Sequence, residues 1–466
     1  MQKQGGKRYI MNQREQFKRI IKFMSSLTVI AMQMSLYWIV WLYHYNSNIE
    51  LPFFRKGNWL MVALYGVLLF FFVHIYGGLK VGYLRKGEII YSQILGLFCV
   101  NAITYIQICL LDRHFVNAGP LFIITVLQIA VIVLWASFFQ WIYSKMFPPR
   151  KMILIYGERP AFGLMNKIRT RDDKYNICET VNVKQGMEYV AGRIQEYDSV
   201  IIGDIPCQAR NHILKYCFEH SIRTYILPKI SDIMIKSSTT INLFDTELML
   251  FRNRGLTAEQ KLIKRISDIV FSLIILVVFS PILILVAVLI KVYDGGPIFY
   301  KQERLTYDHK VFMIYKFRSM KVDSEKTGAQ LAKKDDDRIT PVGHVIRALH
   351  IDELPQLFNI LKGDMAFVGP RPERPEIAEL YKKSIPEFDF RLKMKAGLTG
   401  YAQVFGKYST TPYDKLKLDL TYIENYTFAL DLMIIIQTVK ILFQKENSEG
   451  VDGGQKTAPR TEDKKN

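Results

Sequence analysis

The sequence predicts a three-part chain: a membrane α-helical bundle, an α/β Rossmann-like domain, and a mainly helical third domain that carries a re-entrant membrane helix. Three observations carry this prediction. Long apolar windows crowd into residues 1–145, strand-like and helix-like runs alternate over 150–257, and a further apolar stretch within 266–291 is basic on both flanks. With 50% hydrophobic and 23% charged residues, a chain of 466 must segregate its apolar from its polar segments.

The bundle is read from four windows, 25–43, 58–79, 91–111 and 120–143, each near the roughly 20 residues that a bilayer core demands. Lys18, Arg19 and Lys22 precede the first, Lys80, Arg85 and Lys86 lie between the second and third, and Lys145, Arg150 and Lys151 follow the fourth. The other two connections carry only Arg55, Lys56 and Arg113. The positive-inside rule therefore places both ends of the bundle in the cytoplasm, and Trp38, Trp41, Tyr43, Trp141 and Tyr143 suit an interfacial belt. The first window is too long for a signal peptide and lacks a small-residue cleavage site, so it reads as a retained anchor. None of the four contains Asp, Glu, Lys or Arg, which leaves a transporter no polar path. Basic flanks also account for the net charge of +19. Without helix-turn-helix, zinc-finger or aromatic RNA-binding signatures, nucleic acid is excluded. The five cysteines form no CxxC and read as reduced apolar residues.

Beyond the bundle, Met152–Tyr156, Ser199–Gly203 and Thr224–Leu227 are strand-like, and Ala161–Arg169 and Ala209–His220 helical, a doubly wound pattern. The first strand ends in Tyr156-Gly157-Glu158 with no G-x-G-x-x-G, so a dinucleotide site is not expected. In the stretch 269–290, Ser280-Pro281 interrupts the centre, where proline removes a backbone bond and kinks a helix. Basic residues on both sides favour a helix that enters and returns over one that spans. Residues 428–443 are too short and polar to span and read as an interfacial or packed helix. The tail 446–466 is polar and expected to be disordered.

The chemistry concentrates in IDELPQLFNILKGDMAFVGPRPERP, 351–375. Leu354, Leu357, Phe358 and Leu361 recur at helical spacing and Pro355 belongs in a first turn, so a helix starts near 351–354. Asp352 and Glu353 then sit at its N-terminus, where Asp352 is either a simple N-cap or part of an anion- or metal-handling site. Gly369-Pro370-Arg371-Pro372 presents a guanidinium suited to bidentate phosphate binding, and Arg347, Lys362 and Asp364 are near in sequence. Paired carboxylates among arginines suit Mg²⁺ and a diphosphate, and an aspartate can itself attack phosphorus.

Together with GPIFYKQERL (296–305), KFRSM (316–320), DRITPVG (337–343) and GLTGYAQVFGKYSTTPYDKLKLDLTYIENY (397–426), this block resembles the bacterial sugar transferase family, polyprenyl-phosphate glycosyl-1-phosphate transferases. The resemblance is close over 264–444 and extends more weakly to the long form, with four N-terminal spans and a Rossmann-like domain. It implies a catalytic domain over 258–445 that moves a hexose-1-phosphate from a UDP-sugar, UDP-glucose or UDP-galactose foremost, to undecaprenyl phosphate with release of UMP. It implies Asp352 as nucleophile, Glu353 as its partner in a dyad binding Mg²⁺ (or Mn²⁺), and Arg347, Arg371 and Lys316 around the substrate phosphates. Ser280 and Pro281 match the break of the family's re-entrant helix. The setting implied is the bacterial cytoplasmic (inner) membrane, multi-pass, with the catalytic domain on the cytoplasmic face; membrane lipid is a partner and a homo-oligomer is allowed. Ala396, Phe405 and Lys407 depart from the family pattern outside the dyad, in loops that bear on sugar preference.

Overall fold

The computed structural model describes residues 2–158, 162–251, 255–321, 338–406 and 410–442, with backbone alone for 2–16 and 162. The expected disordered tail, Lys407 and the start of the 337–343 block lie outside the described residues. The chain divides into two compact units, Met1–Leu227 and Pro228–Asn466, earlier than the 257 boundary read from the alternation.

In the first unit, α1 (Gln2–Val40) passes through a π-helical turn, Trp41–Tyr45, into α2 (Asn46–Asn48), followed by α3 (Lys56–Tyr76), α4 (Lys86–Asp112) and α5 (Gly119–Met146). Helices Phe17–Asn48, Lys56–Tyr76, Lys86–Asp112 and Gly119–Met146 are each long and apolar enough to cross a membrane. α1 starts well before its apolar window because the Lys-, Arg- and Gln-rich arm favours helix while lowering hydropathy. Tyr37 stacks on Tyr65 with ring centroids 4.1 Å apart. Polar side chains pair inside the bundle, where no water can satisfy them. The Tyr65 hydroxyl donates to Asn101 Oδ1 at 2.9 Å, Asn101 Nδ2 to Thr125 Oγ1 at 2.8 Å, and Gln128 Nε2 to the Tyr65 hydroxyl at 2.8 Å.

The same unit continues with β1 (Arg150–Tyr156), α6 (Phe162–Arg169), β2 (Tyr175–Asn182), α7 (Met187–Ile194), β3 (Ser199–Ile202), α8 (Cys207–Glu219) and β4 (Arg223–Ile226). The four strands form a parallel sheet in the order β2-β1-β3-β4. Ile153, Ile155, Val200 and Ile202 are fully buried, as strands covered on both faces must be. β2 escaped the sequence reading because it is an edge strand of alternating exposure carrying Asn176, Glu179 and Thr180.

The second unit opens with α9 (Ile230–Lys236) and a hairpin of β5 (Thr239–Leu243) and β6 (Thr246–Leu250), all of whose strand residues are exposed. α9 joins the core of this unit, where Ile230 and Ile233 cluster with Leu357, Ile360, Leu416, Leu420 and Ile434. Next come α10 (Ala258–Asp294), the antiparallel pair β7 (Phe299–Leu305) and β8 (Val311–Phe317), α11 (Pro341–Ala348), α12 (Gln356–Lys362), β9 (Ala366–Val368) and α13 (Pro375–Ser384). A 3₁₀ segment Pro386–Lys393, β10 (Gly397–Thr399), α14 (Tyr401–Phe405), α15 (Pro412–Glu424) and α16 (Phe428–Leu442) complete it.

α10 begins at a capping box, Thr257 with Gln260, and is the fifth helix long and apolar enough to cross a membrane. It remains helical through Ser280-Pro281, where the Ser280 hydroxyl donates to Val277 O at 2.8 Å. Its buried residues are Lys264, Asp268 and Ser272 in the first half and Val286 and Ile290 near the end; none lies between. Phe271 and Ile275 pack on the main core, while Val286 and Ile290 pack with Phe317 and Ile346. α16 is a packed helix with Asp431, Ile434 and Gln437 buried. Lys264 Nζ reaches Asp431 Oδ2 at 2.7 Å and the Tyr422 hydroxyl at 3.2 Å, all inside the protein. Lys264→Ala leaves Asp431 buried and unpaired and is expected to cost about 3–5 kcal/mol, whereas replacing both partners with apolar residues should recover most of it. Denaturant midpoints of the full chain in detergent measure both.

Candidate active site

The site is built where three separated segments of the second unit meet. Thr340 caps α11 by accepting from Gly343 N at 2.9 Å, with Pro341 at the first helical position, so the Thr-Pro pair fixes this start. α11 ends at Ala348, and two residues on His350 adopts a left-handed φ of 54°. That sparsely populated conformation for a non-glycine residue turns the chain into a 3₁₀ turn, Ile351–Glu353, directly ahead of α12. The helix expected from 351 is therefore a 3₁₀ turn followed by an α-helix whose N-cap is Pro355, without a side-chain cap. Asp352 caps nothing: its carboxylate makes no hydrogen bond among the described residues.

Buried Asn359 locks α12 against β8, accepting from Tyr315 N at 2.9 Å and donating to Met313 O at 2.8 Å. This brings Lys316, the next residue of β8, to Glu353: Nζ lies 2.7 Å from Oε1. Arg371 arrives from the other side, its NH2 3.1 Å from the same oxygen. Burial alone would raise the Glu353 carboxyl, but Lys316 and Arg371 outweigh it and hold the group far below the usual carboxylate range. Asp352 moves the opposite way. Burial raises it, Glu353 adds to the rise, and Lys316 and Arg347 only partly oppose. Glu353 in turn raises Arg371 above an ordinary arginine.

The Pro370–Arg371 turn is held by close backbone approach. A Cβ on Gly397 would lie 2.1 Å from Gly369 N, and one on Gly400 2.1 Å from Gly369 O. β9 and β10 can pair so tightly only because glycine stands there, and Gly369 N donates to Thr399 O at 2.9 Å. The GLTG block thus sets the position of the GPRP block. Lys362 and Asp364, also singled out from the sequence, instead pair with each other at the far end of α12, at 3.2 Å.

Three residues outside the sequence reading complete the surroundings. Arg304 lines a cleft with Lys316, Glu353, Gln356 and Arg371 and donates to Pro372 O at 3.1 Å; burial and the neighbouring Arg371 and Arg374 push it down to about 10. Buried Arg391 donates to Arg371 O at 2.8 Å and pairs with Asp419 at 2.9 Å and Glu373 at 3.5 Å. The carboxyl of Asp419 is pushed up to about 6 by burial, against Arg391. The only sequence signal for this pair was a charge spaced into an apolar helix face.

The fold and site define a membrane-associated protein with a cationic cleft beside an aspartate that makes no hydrogen bond among the described residues. A model of the family described as bacterial sugar transferase matches residues 259–445, and the chain belongs to that family. The UDP-N-acetylgalactosamine-undecaprenyl-phosphate N-acetylgalactosaminephosphotransferase of Aeromonas hydrophila is 43% identical over 183 residues, covering 39% of this chain and 43% of the relative. The UDP-glucose:undecaprenyl-phosphate glucose-1-phosphate transferase of Caulobacter vibrioides is 37% identical over 190 residues, 40% of this chain and 71% of the relative. The undecaprenyl-phosphate glucose phosphotransferase of Komagataeibacter xylinus is 31% identical over 311 residues, 62% and 58%. The matched stretches thus cover from less than half to about seven tenths of these relatives' lengths.

Asp419 generates a pH prediction. Its folded value, about 6, lies above the ordinary 3.8, so the neutral form favours the fold. This contribution is complete below the unfolded value and is lost as pH rises through the folded one. Asp419→Asn cannot ionise and should flatten stability across that window, read as urea midpoints at successive pH values.

Proposed function

We propose that this chain transfers a hexose-1-phosphate from a UDP-sugar to undecaprenyl phosphate with release of UMP, the first membrane step of exopolysaccharide, capsule or O-antigen assembly. One observation carries the reading: an unbonded, part-buried Asp352 beside a Glu353 held by Lys316 and Arg371. The reaction runs as a double displacement. An Asp352 oxygen attacks the sugar-bearing phosphorus; the new O–P bond forms as the bridging P–O bond breaks, and UMP departs with that electron pair. A phosphate oxygen of undecaprenyl phosphate then attacks the same phosphorus, the aspartyl bond breaks, and the carboxylate is restored with undecaprenyl-diphospho-sugar as product.

Lys316, Arg371 and Arg347 offset charge on the diphosphate, with Arg304 behind them in the cleft. Such prepositioned charge is where most of the acceleration originates in phosphoryl transfer. Asp352 and the second oxygen of Glu353 would hold Mg²⁺, or Mn²⁺ in its place. Among the described residues no three His, Cys, Asp or Glu gather as a cage. That suits magnesium, which takes one or two carboxylates and completes its shell with water and substrate oxygens. When bound it supplies further charge neutralisation at the diphosphate. The donor sugar is a hexose or N-acetylhexosamine, the two kinds for which the relatives are named. UDP-glucose, UDP-galactose and UDP-N-acetylgalactosamine are the donors to compare.

The membrane setting follows from both substrates: one is soluble and the other a long-chain lipid. We read α10 as entering and leaving on the cytoplasmic face of the inner membrane. Both ends of α10 pack within the same compact unit while an apolar middle around Ser280-Pro281 stays exposed, which supports this. Single cysteines near Lys264 and Asp294, in a chain without its native cysteines, should both resist a membrane-impermeant thiol reagent in intact cells. Labelling of only one from outside would refute re-entry.

Asp352→Asn keeps the shape and, since no capping bond is lost, should fold normally but lose turnover by at least a thousandfold, on the order expected for removing a nucleophile. Wild type given a UDP-sugar without lipid should exchange labelled UMP into UDP-sugar, and a chelator should stop that exchange until Mg²⁺ is restored. Absence of exchange, with kinetics that require both substrates bound together, would reassign the dyad to metal binding alone.

A further inference from the structure

Far from the dyad in sequence, the first unit gathers cations at one end of the bundle. Lys22 Nζ lies 3.7 Å from the Tyr83 ring centroid and Lys174 Nζ lies 4.3 Å from the same centroid. Lys18 and Lys22 stand 5.7 and 5.5 Å from the centroid of Tyr143. Four segments meet here: α1, the turn between α3 and α4, the end of α5, and the start of β2. Gly82, at φ +72°, makes the meeting possible, because a Cβ there would lie 2.1 Å from the Tyr143 ring. Arg171 NH1 donates to Tyr83 O at 2.7 Å and Arg85 donates to Thr170 O, so the segment bearing Lys174 is tied to the turn bearing Tyr83.

Carboxylates are already engaged. Asp173 pairs with Arg171 at 2.9 Å, and Glu88 accepts from Arg85 N at 3.3 Å. Neither Lys22 nor Lys174 has a carboxylate at ion-pair distance among the described residues. Aromatic faces hold ammonium groups but do not cancel their mutual repulsion. Burial and the neighbouring Arg171 push Lys174 down from its ordinary value, and Tyr225, Tyr83 and Asp173 only partly oppose them. An anion with several acceptor oxygens would relieve this arrangement, and compact lysine charges suit phosphate.

We propose that Lys18, Lys22 and Lys174, arranged around Tyr83 and Tyr143, bind the phosphate group of a ligand at the membrane interface and so bridge the helical bundle to the α/β domain. The site sits at the ends of two helices of spanning length, Phe17–Asn48 and Gly119–Met146, which is where a lipid headgroup would reach it. It is separate from the transfer reaction and does not depend on it.

The test uses the full chain purified in a neutral detergent, with thermal unfolding followed as ligand is added. One arm adds dioctanoyl phosphatidic acid and the other inorganic phosphate. Wild type should be stabilised in a saturable way. Lys22→Gln with Lys174→Gln should weaken apparent affinity by roughly fivefold for each lysine removed. A control pair on exposed α/β surface, Lys184→Gln with Lys215→Gln, should bind as wild type. Stabilisation by the lipid alone identifies a headgroup site; equal stabilisation by inorganic phosphate identifies a site for the free group. Equal affinity in wild type and the Lys22/Lys174 variant, or no saturable shift with either ligand, overturns the proposal.

Discussion

One carboxylate oxygen organises the active site. Glu353 Oε1 meets a lysine from β8 and an arginine from the turn after β9, at 2.7 and 3.1 Å. Withdrawing Glu353 and Lys316 from water is costly, and only good geometry repays it, while Arg371 stays half exposed. Here the geometry comes from neutral parts: Asn359 bonding the edge of β8, and glycines letting β9 and β10 close up. The backbone is therefore committed before any substrate arrives. Glu353 occupies the two cations through one oxygen, and Asp352, in the 3₁₀ turn that follows the left-handed His350, makes no hydrogen bond among the described residues. Lys316, Arg371, Arg347 and Arg304 against Asp352 and Glu353 leave these surroundings positively charged.

Much of this was legible in the sequence because it is local. The helices of spanning length follow from long apolar runs, and the placing of Asp352 and Glu353 just ahead of a helix follows from Pro355 in its first turn. What escaped was non-local. Arg391 and Asp419 are far apart in sequence and look like ordinary surface charges, yet both are buried beneath Arg371. β2 hid behind its polar face, which an edge strand leaves to solvent. Nor does local patterning reveal that α9 packs with Leu420.

The membrane helix is joined to the site by a short physical route. Asp268, in the first half of α10, accepts from Phe367 N at 2.8 Å, and Phe271 packs edge-on against the Phe367 ring. Lys264, one turn earlier, pairs with Asp431 of α16, whose other oxygen lies 2.7 Å from the Tyr422 hydroxyl. Phe367 is two residues before Gly369, and β9 is a strand of only three residues, so little chain intervenes between the helix and Arg371. A shift of α10 along its axis would have to break a buried hydrogen bond and a buried ion pair, or carry β9 with it. Close packing makes the second course cheaper than the first. The depth of α10 and the position of the Arg371 guanidinium are thus one mechanical variable.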